Sequence, residues 1–180
     1  MFYSTRYQSP LGNIVLASTE KCIVGIWIEG QKCFGATMPE NFTERDSLPI
    51  LLNGKKWLDD YFSGKRPPIS SIPLAPIGNA FRQTVWRLLV DIPYGETTTY
   101  GHIAQETARI LGKPKMSAQA IGNAVGHNQI SIIIPCHRVV GANGSLTGYG
   151  GGIDTKVKLL QHEKVDMGKL FLPKTGKPFN

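Results

Sequence analysis

"TTTYGHIAQETARILGKPKMSAQAIGNAVGHN", residues 97–128, decides how the second half of the chain is folded. Behind the threonines, Ile103, Ala104, Thr107, Ile110 and Leu111 recur at helical spacing, which predicts a helix with these residues turned inward and Gly112 as its stop. After "KPK", Ser117 is a cap for a second, shorter helix. Helix, tight turn, short helix is the layout of a helix-turn-helix, although a plain αα-hairpin has the same outline. The second helix favours the former. Ala118, Ala120, Gly122, Ala124 and Gly126 offer little to a core but let a partner approach the backbone closely.

Upstream, Asn79 can cap a helix carrying Phe81, Val85, Leu88 and Leu89 on one face and stopping at "DIPYGE". The preceding "KRPPISSIPLAPIGN", residues 65–79, is rich in Pro, Ser and Gly, so a boundary is expected near residue 78. Residues 1–30 alternate apolar and polar side chains in "MFYSTRY", "NIVLAS" and "CIVGIWI", separated by the turn-formers "SPLG" and "STEK". They read as a small antiparallel sheet. Leu48, Leu51, Leu52, Leu58, Tyr61 and Phe62 predict one covering helix. A last helix is expected after Asp154, through "TKVKLLQHE". The reading is an α+β protein with an N-terminal domain over 1–78, a helical C-terminal domain over 79–166 and a tail over 167–180.

Of the 180 residues, 41% are hydrophobic and 18% charged, an ordinary globular composition. "MFYSTRYQSP" lacks the apolar stretch of a signal peptide and no apolar run reaches membrane-spanning length, so a cytoplasmic protein is expected. The three cysteines, Cys22, Cys33 and Cys136, form no paired framework, and Cys22 reads as a buried small hydrophobe. The net charge of +7 is uneven: residues 1–70 hold eight Lys+Arg against seven Asp+Glu, and residues 71–180 hold twelve against six. A basic surplus in the second part favours a polyanionic partner.

The chemistry is concentrated in "ISIIIPCHRVVG", residues 130–141. Pro135 suits the first turn of a helix or a tight bend leaving a buried strand. Cys136 would then lie near a helix start, where the dipole lowers a thiol pKa from its usual value of roughly 8.5. His137 is the available proton acceptor. Neighbours on a helix do not face each other, so a bridging water is expected between the two. Glu163 is the carboxylate chosen to orient the imidazole. A lone Cys-His pair is often only structural, and context has to decide.

From "FRQTVW" through "IPYGETTTYGHIA", "IGNAVGHN" and "IIIPCHRVVGANGSLTGYGGG" to "KLLQHE", the order and spacing resemble the methylated-DNA–protein-cysteine methyltransferases. The resemblance covers roughly residues 79 to 163, and the first domain fits only loosely. It implies an N-terminal ribonuclease-H-like α/β domain and a C-terminal domain with a helix-turn-helix. It also implies stoichiometric transfer of an alkyl group from O6-alkylguanine, less readily O4-alkylthymine, onto the protein's own cysteine. Carried over, Cys136 is the acceptor, His137 its water-linked base, Glu163 the orienting carboxylate and Asn128 a brace at the cysteine turn. Tyr100 would donate a proton to the guanine ring, the backbone N–H groups of Cys136 and Gly150 would face the base, and Tyr149 would line the pocket. Ala118, Gln119, Ala120 and Gly122 would meet DNA, with Arg138 or Lys156 on backbone phosphates. The target atom is hidden in the duplex, so the base must be flipped out. The resemblance implies no cofactor and no metal, and a monomer acting on double-stranded DNA containing alkylated guanine.

Two positions depart from the family pattern. Gln119 stands where the family usually has an arginine that fills the hole left by the flipped base, so weaker flipping or weaker affinity is expected. Gln129 stands where a proline is common, which suggests a less rigid segment. Two other readings stay open: a cysteine acyl-transfer hydrolase using Cys136, His137 and Glu163, and a protein that recognises alkylated DNA without removing the lesion.

Overall fold

The computed structural model describes residues 1–35 and 42–173. Strands β1 (Tyr3–Ser9), β2 (Gly12–Ser18) and β3 (Ile23–Ile28) form an antiparallel meander, and the short β4 (Thr43–Glu44) adds parallel to β1, giving the order β3-β2-β1-β4. Helix α1 (Pro49–Phe62) starts with proline in its first turn and lays Ile50, Leu51, Leu58 and Tyr61 on the sheet. Gly54 makes this close: a Cβ there would come within 2.7 Å of Leu16 Cδ2. Leu52, expected on the same face, is 49% exposed instead.

The outer edge of β3 is not left bare. Near its start, Ile23 N–H donates to Pro73 O (2.9 Å) and Ala75 N–H to Ile23 O (2.8 Å). Further along, Ile26 N–H donates to Gln129 O (2.8 Å) and Ser131 N–H to Ile26 O (3.0 Å). Main chain from the second half thus extends the sheet of the first. Every residue of β3 is buried in consequence, and one apolar core runs from Leu16 and Ile26 to Trp86, Ile130 and Leu159.

Helices α2 (Ala80–Val90), α3 (Tyr100–Ile110) and α4 (Ala118–Gly126) pack on one another. Asn79 and Ser117 cap as expected, Asn79 Oδ1 accepting from Arg82 N–H (2.9 Å) and Ser117 Oγ from Gln119 N–H (3.2 Å), and the last of the threonines before α3, Thr99, caps it by accepting from His102 N–H (3.1 Å). Gly112, at φ +62°, follows the end of α3 in the left-handed conformation of a C-terminal stop. Ile103, Ala104 and Thr107 are buried as expected, whereas Ile110 is 47% exposed, one step too far round the helix. Two-residue strands β5 (Thr98–Thr99) and β6 (Val139–Val140) pair in parallel, and α5 (Ile153–His162) completes the domain.

The isoleucine run is not a strand. Only Ile130 bridges to the sheet, and the chain then turns, with Ile132 at φ +73°, a left-handed value that a β-branched residue adopts only under constraint. Ile132, Ile133 and Ile134 are all buried, and their apolar contacts hold the turn. The tail folds back in part: Phe171 bonds to Gly144 and Leu146 main chain, and Met167 and Leu170 pack on Val140, Leu146 and Leu160. Its last seven residues, 174–180, lie outside the described residues. Cys22 is only half-buried, at the turn before β3 rather than within the strand.

Candidate active site

The β5–β6 ladder assembles the site. Thr99 pairs in parallel with Val140 and Thr98 with Val139, which ties the segment leading into Tyr100 and α3 to the strand leaving the Cys136–Arg138 turn. Cys136 opens a single 3-10 turn, not a helix, and Pro135 before it forms a tight bend in which Cys136 N–H donates to Ile134 O (2.8 Å). That N–H is therefore engaged, rather than free to face a base.

Asn128, buried after α4, braces this bend. Its Oδ1 accepts from Ile130 N–H (3.1 Å), and its Nδ2 donates to Ile134 O (2.8 Å) and lies 3.1 Å from Cys136 Sγ. One side chain thus fixes both ends of the strained turn and supplies a donor to the sulfur. His137 is fully buried and its Nε2 sits 2.7 Å from Glu163 Oε1, while Nδ1 has no hydrogen-bond partner among the described residues. With Nε2 bound to the carboxylate, Nδ1 is left as the basic nitrogen of a neutral ring.

The electrostatics correct one expectation. Burial pushes the Cys136 thiol up, and the Asn128 amide, Lys156 and the local N–H groups only partly oppose it. A three-residue 3-10 turn has too small a dipole to do more. Burial likewise lowers His137, against the pull of Glu163. For Glu163, burial acts upward, but bonds from His137 and Arg138 outweigh it and hold the carboxyl well below its ordinary range. The resting site is a neutral thiol beside a neutral imidazole and an ionised carboxylate.

Arg138 and Lys156 do not reach out to phosphates. Arg138 is 5% exposed, grips Glu163 through Nε (2.8 Å to Oε2) and Nη2 (3.0 Å to Oε1), and donates from Nη1 to Ile92 O (2.5 Å). Lys156 is fully buried, and its Nζ donates to Val139 O (2.6 Å) and Thr147 O (2.9 Å). Its ammonium, 5.9 Å from the Tyr100 ring centre, is lowered by burial to about 8. Both cations build the interior of the site. Gln129 also corrects its expectation: its Oε1 accepts from Trp27 Nε1 (3.2 Å) and its Nε2 donates to His127 O (3.0 Å), which pins the segment that was expected to be loose.

A narrow pocket leads to Cys136, lined by Asn128, Ser131, Tyr149, Gly150, Gly151 and Gln31. It holds hardly more than a water molecule, so a purine enters only if the 148–152 segment shifts. Tyr100 stands at its side and donates to Thr147 O (3.2 Å) and Gly148 O (3.1 Å); burial keeps its phenol protonated far above neutral pH. Gly150 is tied to the first half, its carbonyl accepting from Lys32 N–H (2.8 Å). Ser131 Oγ donates to Gln31 Oε1 (3.3 Å).

On α4, Ala118 and Gln119 are exposed and Ala120 and Gly122 half-buried. A Cβ on Gly122 or Gly126 would meet nothing within 4 Å, so internal packing does not require these glycines. Asn123, exposed on the same stripe four residues after Gln119, went unremarked in the sequence although the helical spacing contains it. Gln31 and Ser131 carry no signal in the sequence, and Tyr61, expected only on the apolar face of α1, donates its hydroxyl to Glu163 Oε1 (2.8 Å). Their partners lie about a hundred residues away and leave no local pattern.

A buried Cys-His-Glu arrangement set behind a helix-turn-helix with a bare, small-residue face defines a DNA-directed protein with a reactive cysteine. The chain belongs to the 6-O-methylguanine DNA methyltransferase family. The family's DNA binding domain matches residues 80–165 and its ribonuclease-like domain residues 1–76. A methylated-DNA–protein-cysteine methyltransferase of Haemophilus influenzae is 41% identical over 163 residues, covering 91% of this chain and 87% of that one. One from Methanosarcina acetivorans is 40% identical over 164 residues, covering 91% and 98%. The crystal structure of Mycobacterium tuberculosis OGT in complex with DNA superimposes with a TM-score of 0.76 at 37% identity, covering 94% of each chain.

Proposed function

We propose that the protein repairs DNA by taking an alkyl group from O6-alkylguanine, and less readily from O4-alkylthymine, onto Cys136. The observation that carries this reading is the Cys136–His137–Glu163 arrangement opening toward a pocket beside the exposed face of α4. Gln119, with Ala118, Ala120, Gly122 and Asn123, meets the DNA, and the flipped base enters between Tyr149, Gly150 and Tyr100. A water between Cys136 and His137 Nδ1 passes the thiol proton to the imidazole, and Glu163 stabilises the imidazolium.

The sulfur then forms a bond to the alkyl carbon as the carbon–O6 bond breaks. Tyr100 gives its hydroxyl proton to the guanine ring, and the imidazolium proton restores the phenol through solvent. The net change converts thiol plus alkoxypurine into thioether plus guanine. A thioether is stable and nothing in the site removes it, so each molecule acts once. The raised phenol pKa fits a group that must arrive protonated. We read the protein as a cytoplasmic monomer. Among the described residues, no helix is long and apolar enough to cross a membrane.

The test is incubation with a duplex oligonucleotide carrying one O6-methylguanine, followed by intact-protein mass, beside Cys136→Ala. The expected result is a gain of one methyl group per molecule that the mutant lacks. Tight lesion binding with no mass gain would make it a damage-recognition protein, and turnover on ester substrates would make it a hydrolase.

A further inference from the structure

Tyr61 lies in the last turn of α1, in the first half of the chain, yet its only polar side-chain atom bonds to the Glu163 carboxylate of the second. The ring is 1% exposed, stacked on Trp57 (centroids 5.6 Å apart, 11° between planes) and edge-on to Tyr94 (6.1 Å, 71°). Packing alone would be satisfied by phenylalanine. The hydroxyl instead donates to Glu163 Oε1 at 2.8 Å, the same oxygen that faces His137 Nε2 at 2.7 Å. With Arg138 Nη2 at 3.0 Å, three donors divide the charge of this one oxygen, and Tyr61 is the uncharged one that comes from the first half of the chain. From the other side, His162 Nε2 lies 2.8 Å from the Tyr61 carbonyl, which ties the end of α1 to α5 just before Glu163.

We infer that Tyr61 is a positioning residue for alkyl transfer, through which the N-terminal domain sets the basicity of His137 by drawing charge from Glu163 Oε1. The inference rests on the reading of His137 as the base for Cys136. A stronger donor to Oε1 leaves less negative charge for the imidazole N–H, so the imidazolium is less stabilised and His137 stays neutral, able to accept a proton, to lower pH. Burial and the Glu163 charge both raise the Tyr61 phenol, so it donates at every pH at which the protein is folded. The other groups facing this pair are Arg138 on the Cys136 turn, Lys156 on α5, Tyr94 after α2, Cys136 itself and Tyr149. Arg138 and Lys156 act on His137 in the same direction as Tyr61, and Tyr61 is the member of the set contributed by the other domain.

The experiment compares the protein with Tyr61→Phe and, as a control that cuts a different link between the halves, Trp27→Phe, which loses the bond to Gln129. Two pH profiles are recorded: methyl uptake from an O6-methylguanine duplex, and alkylation by iodoacetamide read peptide by peptide, so that Cys22 and Cys33 serve as internal references. Tyr61→Phe should move the acid limb of both Cys136 profiles up by about half a pH unit or more, leave the Cys22 and Cys33 profiles in place, and leave Trp27→Phe superimposed on the parent. An unmoved acid limb in folded Tyr61→Phe, or an equal shift in Trp27→Phe, would overturn the inference. If Tyr61→Phe does not fold, 3-fluorotyrosine at position 61, a stronger donor of nearly the same size, should move the limb down, and an unmoved limb overturns. If no variant takes up methyl from DNA, the functional reading fails, while the iodoacetamide profiles still decide the role of Tyr61.

Discussion

Arg138 and Glu163 meet as a fork on a carboxylate, Nε at 2.8 Å from Oε2 and Nη2 at 3.0 Å from Oε1, with both side chains removed from water. The carboxylate also receives His137, Tyr61 and the Gly95 N–H, so its charge is shared among groups from three parts of the chain. Removing one partner of such a buried pair leaves an uncompensated charge. Arg138→Met should therefore cost about 3–5 kcal/mol, seen as a fall in melting temperature. Glu163 is held below its unfolded pKa, so this contribution is complete above about pH 4 and is lost as pH falls further. The gap between parent and Arg138→Met in denaturant melts should narrow below pH 4; a constant gap would contradict the pairing.

Asn128 carries four bonds that hold the Cys136 bend, one of them to the sulfur. A hydrogen bond to a charged group is worth about 1.5–3 kcal/mol, so Asn128→Ala should slow methyl transfer about ten- to a hundredfold in single-turnover assays. Asn128→Asp should be slower still, because it sets a carboxylate against the forming thiolate. An Asp variant as fast as the parent would show that the contact to the sulfur does not matter.

Lys156 is buried with its ammonium on two carbonyls and a pKa lowered to about 8. A lysine of depressed folded pKa costs stability while charged, fully below about pH 8, and that cost disappears as pH rises to the unfolded value of about 10.4. Relative to Lys156→Met, the parent should thus gain stability between pH 8 and 10, by at most about 1.4 kcal/mol per pH unit. Chemical denaturation at four pH values checks the slope, and a flat difference would place the charge elsewhere.

Gln119 is exposed at the start of α4. Gln119→Arg should speed repair of a lesion in duplex DNA while changing repair in a single strand far less, because only the duplex has a hole to fill. Equal or slower repair of the duplex would mean that the glutamine fills that hole adequately.

Local signals carried much of this architecture. Asn79, Thr99 and Ser117 cap the helices they precede, Gly112 ends α3, and the alternation in residues 1–30 becomes three paired strands. Of the site residues carried over from the family resemblance, Asn128 bonds to Cys136 and His137 to Glu163. What the sequence hid depends on distant partners. Arg138 and Lys156 look like ordinary surface cations in a basic protein, and only the fold supplies the carboxylate and carbonyls that bury them. The isoleucine run has the composition of a strand, yet Asn128 and the surrounding core impose a left-handed turn at Ile132. Tyr61 belongs to a helical stripe whose apolar role conceals its hydroxyl.

The strip of main chain from Gln129 to Ser131 that completes the edge of β3 also imposes a timetable. A ribosome delivers β3 about a hundred residues before that strip, which at about 5–20 residues per second is a wait of roughly 5–20 seconds. Throughout it, the far end of β3 is an apolar edge open to any passing strand. The newborn first half is therefore the form of this protein most exposed to aggregation, and chaperone demand should peak before the cysteine turn has left the exit tunnel.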